Sequence, residues 1–135
     1  MELFKNHFTE SLLILFLLIT FLQSAADKLL DWQGNLSWLK GHFSKSALKN
    51  TVPMLLGILV FMELITSVAC VWGLYDLLAN NRTDIALYAA VLSCTTLLML
   101  LFGQRMAKDY DGARTIVIYF IPAILLLFFL EIGIL

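Results

Sequence analysis

The residues of this chain that could do chemistry sit inside or beside long apolar segments. Glu63 is the sharpest case. It stands in "VPMLLGILVFMELI", roughly 16 Å along a helix from Val52 at about 1.5 Å per residue. A carboxylate at such depth in a bilayer costs a few kcal/mol, so it should face the helix bundle and take a partner. Arg105 is the expected partner, reaching inward along its stem, with Lys28 and His42 as alternatives. Residues four apart share a helix face. That spacing lines up Gln23, Asp27 and Asp31, with Ser24 or Thr20 beside them, and likewise Glu63, Thr66, Ser67 and Cys70. A dense polar stretch, "GQRMAKDYDGAR", adds Gln104, Arg105, Lys108, Asp109, Asp111 and Arg114. Groups of these types, converging from several helices, can bind a polar head group, hold an ion pair or carry a proton.

Composition says what must position them. The chain has 135 residues, 61% hydrophobic and 14% charged, whereas a soluble domain carries about 25% charge. The apolar residues come in blocks at about 11–26, 52–74, 85–102 and 115–130. A membrane-spanning helix needs about 20 largely apolar residues, so the shorter blocks must recruit flanking positions. The expected architecture is all-α: an integral membrane four-helix bundle, one transmembrane domain over 1–135. Its spans should run over about 9–30, 52–78, 84–103 and 114–134. The first block resembles a secretory signal ending at Ser24-Ala25-Ala26. Glu2 and Glu10 beside Lys5 make a poor basic leader, so it is expected to be a retained span. Little chain is left for a soluble catalytic domain. A net charge of −1 without a basic tail argues against nucleic acid as a partner.

Charge asymmetry sets an expected orientation. Lys28, Lys40, Lys45 and Lys49 fall in the first loop and Arg105, Lys108 and Arg114 in the third, against Lys5 and Arg82 on the other side. Cations in short loops favour the cytoplasm, which puts loops one and three inside and both termini outside. Between the first two spans, "NLSWLKGHFSKSALKN" carries Leu36, Leu39 and Phe43 at helical spacing, with lysines interleaved and Trp32 and Trp38 near. This reads as an amphipathic segment in the headgroup plane over about 36–48, or, given Gly34 and Gly41, a short re-entrant one. Pro122 should kink the last span. Cys70 and Cys94 share a depth but no CxxC spacing, and read as small buried residues. His7 and His42 fall on opposite sides, and no cluster has metal-ligand spacing.

Three segments, "FLQSAADKLLDWQGNLSWLKGHFSKS", "VPMLLGILVFMELI" and "GQRMAKDYDGAR", resemble the DoxX-like membrane proteins, most closely their short form in Bacteroidota. The matching positions are Gln23, Asp27, Lys28, Trp32, Asn35, Trp38, His42, Glu63, Gln104, Arg105, Lys108 and Asp109. The resemblance implies a four-helix bundle in the bacterial inner membrane and an association with quinone-linked oxidoreductase complexes. On that basis the expected function is an accessory subunit of a membrane redox or respiratory complex, not an enzyme on its own. An inner-side pocket would hold an isoprenoid quinone or lipid-like ligand, with no covalent cofactor. Gln23, Asp27, Lys28, His42, Glu63, Gln104, Arg105, Lys108 and Asp109 would supply polar contacts, and Trp32 and Trp38 the lid. Its partners would be the lipid bilayer and other membrane subunits, with no oligomeric state implied. The rival readings are an assembly factor or scaffold, using small residues such as Ser67, Ala69, Ala89, Ala90 and Ser93 for helix contact, and a small proton-coupled transporter built on Glu63.

Overall fold

Long apolar runs with few breakers give long helices, and these dominate the structure. It is a computed structural model that describes residues 7–134. Met1, Glu2 and Lys5, which enter the retained-span and orientation arguments, lie outside the described residues. Among the described residues the chain is all-helical: α1 Phe8–Leu30, α2 Trp32–His42, α3 Val52–Ala79, α4 Asp84–Met106 and α5 Tyr110–Ile134. Four of these, α1, α3, α4 and α5, are long and apolar enough to cross a membrane. Their surface agrees with that. Phe61, Val68, Trp72, Ile118 and Phe128 are all exposed, an apolar coat larger than soluble monomers tolerate.

The stop between α1 and α2 falls at Asp31. Its backbone leaves the helical region, and its carboxylate accepts the Gly34 N–H at 3.2 Å, a side-chain cap that starts a new helix. The first span therefore ends before Asp31. The expected segment at 36–48 is in fact a helix that begins at Trp32 and ends at His42, followed by turns to residue 50. It buries no residue completely: Leu36, Leu39 and Phe43 are half-buried while Trp38 is 61% exposed. At the start of α3, Pro53 occupies the first turn, where its missing N–H has no helical partner to lose. The last helix continues through Pro122 without interruption.

Packing follows the small residues. Helix α3 lies against α1 and α4, and α4 also against α5. The core is built from Ile14, Leu17 and Phe21 of α1, Cys70 and Leu77 of α3, Ala86, Ala89, Ala90 and Leu97 of α4, and Ala123, Leu126 and Leu130 of α5. Alanines on α4 let neighbouring backbones approach, as lipid-embedded helices require. The approach is tight at Gly73, where an added Cβ would lie 2.9 Å from the Ala86 Cα. Polar contacts define two ends. His7 Nε2 lies 2.6 Å from Asn81 Oδ1, joining the start of α1 to the α3–α4 turn. His42 meets Gln104 and Asp109, joining α2 to the α4–α5 turn at the opposite end.

Candidate functional site

The polar residues singled out in the sequence divide into a buried pair and a rim cluster. The pair forms between α1 and α3. Glu63 is completely buried, and Lys28 Nζ lies 3.0 Å from its Oε1. The expected partner Arg105 is displaced by Lys28, one of the two alternatives. Helix α1 packs directly on α3 and presents Lys28 there. Arg105 instead sits over the ring of Tyr110, 5.0 Å from its centroid, on the exposed rim. The ammonium approaches Glu63 as an ion pair outside hydrogen-bond geometry. Its hydrogens go to Ser24 Oγ at 2.6 Å and the Ser24 carbonyl at 3.4 Å. Neither oxygen of Glu63 has a hydrogen-bond partner among the described residues. Opposite charge stabilises it there.

Around this pair the polar face expected on α3 is real. Thr66 and Ser67 are buried, and so are Ser93 and Thr96 of α4. Thr66 Oγ1 and Thr96 Oγ1 stand 3.2 Å apart, while each also reaches a carbonyl one turn back. A hydroxyl has one hydrogen to donate, so one of the two must give up its carbonyl to bridge the helices. On α1 the outcome differs. Gln23 and Asp27 are exposed, and the Asp27 side chain takes no part in the pair. The predicted polar edge exists, but the neighbouring face, one residue on at Lys28, points at α3.

The rim cluster gathers residues from α2, α4 and the turn before α5. His42 Nε2 lies 3.1 Å from Gln104 Oε1 and 3.5 Å from Asp109 Oδ2. Trp38 stacks on the His42 ring at 4.5 Å and 17°, and Phe43 meets it edge-on at 5.3 Å. Asp109 Oδ1 accepts the Gly112 N–H at 2.9 Å, which caps the first turn of α5. Lys108 takes a left-handed backbone, φ 60°, and its side chain is exposed, as is that of Arg105. Asp111 and Arg114 pair with each other on the surface. Trp32 is half-buried and, unlike Trp38, does not meet the cluster.

Below the cluster an apolar cleft of about 470 Å³ opens between α2, α3 and α4. Leu55 and Leu59 line it from α3, Leu98 and Phe102 from α4, with His42 and Gln104 at its polar end. Sequence reasoning missed these apolar walls, and it missed Gly112. The only signal for the walls was i, i+4 spacing of large residues on two helices, which any lipid-facing surface shares. Neither Glu63 nor Lys28 lines this cleft, so the single pocket expected from the sequence resolves into two separate features. Arg105→Ala should consequently cost below about 1 kcal/mol, the scale of an exposed cation–π contact, by thermal unfolding in detergent. A large loss would return Arg105 to the Glu63 pair.

Comparison with family models, with curated proteins and with solved structures finds no match for this chain.

Proposed function

We propose that this protein is a DoxX-like integral membrane protein of the bacterial inner membrane that holds one amphipathic molecule, an isoprenoid quinone or a lipid of similar form. It would do so as an accessory subunit of a membrane redox complex. The observation that carries the reading is the cleft: an apolar channel that ends at His42 and Gln104, whose volume falls within the range of about 300–1,000 Å³ usual for small-molecule sites. Large side chains can cover a tail, and an imidazole with an amide can orient a head group. In the proposed orientation the cluster faces the cytoplasm, with α2 lying in the headgroup plane beside lysine-rich loop one. The family assignment rests on the three sequence segments alone. Glu63 and Lys28 hold the bundle together in this reading and do not touch the ligand, nor do Gln23, Asp27, Arg105 and Lys108.

The test is chemical. Protein purified in mild detergent should carry an extractable quinone or similar lipid, identified by mass spectrometry, in near-stoichiometric amount. Leu98→Trp, which fills the cleft from a half-exposed wall position, should lower retention at least tenfold while leaving helicity and unfolding temperature nearly unchanged. Equal lipid content in the two proteins would reject the cleft as the binding site.

A further inference from the structure

Between the first two long helices the exposed surface carries charge of one sign. From Trp32 to Met62 the chain has three lysines and no acidic residue. Lys40, Lys45 and Lys49 are all exposed, and among the described residues none of them pairs with a carboxylate. They sit on an ordered framework. Lys40 lies in the last turn of α2, and the turns beyond it bond to themselves. The Ser46 N–H donates to the Phe43 carbonyl at 2.9 Å, that of Lys49 to Ser46 at 3.2 Å and that of Thr51 to Leu48 at 3.0 Å. Ser46 is buried, and its Oγ accepts the Leu48 N–H at 3.1 Å. Large apolar side chains are exposed on the same side of the bundle. Trp38 is 61% exposed, and where α1 meets α2 Leu30 is 86% exposed. Apolar groups beside long cationic stems suit the headgroup level of a bilayer, where the former reach acyl chains and the latter reach head groups. The acids of this end offer little competition: Asp31 caps α2, Asp109 lies against His42, and Asp111 pairs with Arg114, which leaves Asp27 on α1.

We infer that α2 and the turns to Thr51 form a docking surface for anionic phospholipid head groups, with Lys40, Lys45 and Lys49 as its cations. Charge complementarity selects the occupant. An anionic head group answers ammonium groups that have no carboxylate of their own, whereas a zwitterionic one brings its own cation and gains little. The self-bonded turns hold the lysines in place before a lipid arrives, so less ordering opposes binding. This surface stands independently of what fills the cleft.

Tryptophan fluorescence reads it directly. Trp38 reports on α2, and Trp72, 57% exposed near the other end of α3, reports on the opposite side of the bundle. Two single-tryptophan proteins, Trp32→Phe with Trp72→Phe and Trp32→Phe with Trp38→Phe, go into nanodiscs of equal parts phosphatidylglycerol and phosphatidylcholine, with one lipid or the other brominated along its acyl chains. Quenching at Trp38 should show phosphatidylglycerol preferred by about fivefold, the worth of one lysine at an anionic surface, while Trp72 should show the two lipids near parity. The preference should shrink in 1 M salt, where the Debye length is only about 3 Å, a check that needs no lysine variant. Lys40→Gln, Lys45→Gln and Lys49→Gln together should bring the Trp38 ratio close to one with helicity unchanged, and each alone should lower it partway. Equal quenching by both lipids at Trp38 overturns the inference, as does an equal phosphatidylglycerol preference at Trp72 or one that survives the triple variant. Trp38 shielded from both lipids also overturns it, since a protein, a second copy of this chain included, would then cover α2.

Discussion

Lys28→Met should destabilise the bundle by about 3–5 kcal/mol, the usual consequence of leaving a buried charge without its partner. Glu63 is completely buried and, among the described residues, neither of its oxygens accepts a hydrogen bond, so the ammonium at 3.0 Å is what offsets its desolvation there. The reverse deletion is gentler. The Lys28 side chain is 17% exposed, already bonded to Ser24, and its flexible stem can carry the charge toward the rim. Glu63→Gln should therefore cost only about 1–2 kcal/mol, on the scale of one unsatisfied polar group. The double variant Lys28→Met with Glu63→Leu removes both charges and should recover most of the loss, since apolar pairs often replace buried ion pairs without penalty. Reversible unfolding in detergent of the four proteins closes a double-mutant cycle. If Lys28→Met proves no worse than Glu63→Gln, Glu63 has another counter-charge and the pairing is wrong.

What the sequence could and could not reveal follows from the range of each force. Span positions were readable because crossing a bilayer demands a long uninterrupted apolar run, and the helix ends at Leu30, Ala79 and Met106 lie within a few residues of the expected limits. That Glu63 faces inward was readable too, because lipid penalises the alternative. Its partner was not. Lys28 and Arg105 are both cations near the same end of the bundle, and only the packing of α1 on α3 and the nearness of Tyr110 to Arg105 decide between them. The start of α2 was hidden for another reason. Asp27 and Asp31 match one helix face by spacing, yet Asp31 uses its carboxylate to cap a second helix, a local competition that periodicity cannot register. The cleft was invisible since its leucines and phenylalanines are the same residues that coat the rest of the membrane surface. The His42–Gln104–Asp109 contact joins residues far apart in the chain, and nothing in their separate spacings foretells it.

The same contrast between local sequence and packing gives opposite signs for one substitution at two glycines of α3. An alanine is about 1 kcal/mol better than glycine inside a helix, so propensity alone would make both Gly57→Ala and Gly73→Ala stabilising. At Gly57 nothing among the described residues lies within 4 Å of the added carbon, and that gain should appear as a neutral to modestly stabilising change. At Gly73 the added carbon would meet Ala86 Cα at 2.9 Å, Ala86 N at 3.0 Å and Ile85 C at 3.3 Å. Those atoms are backbone in the first turn of α4 and cannot rotate away. Helices α3 and α4 would have to separate by several tenths of an ångström, loosening Leu77, Ala89 and Ala90 along the seam. Overpacking of this kind costs about 1–3 kcal/mol, enough to outweigh the propensity gain, and Gly73→Val should cost more because its branched side chain adds bulk at the same contact. Unfolding temperatures in one detergent would order the proteins as Gly57→Ala, wild type, Gly73→Ala, Gly73→Val from most to least stable. If Gly73→Ala matched Gly57→Ala, the two helices would not approach this closely, and the seam that holds α3 and α4 in register would have to lie elsewhere.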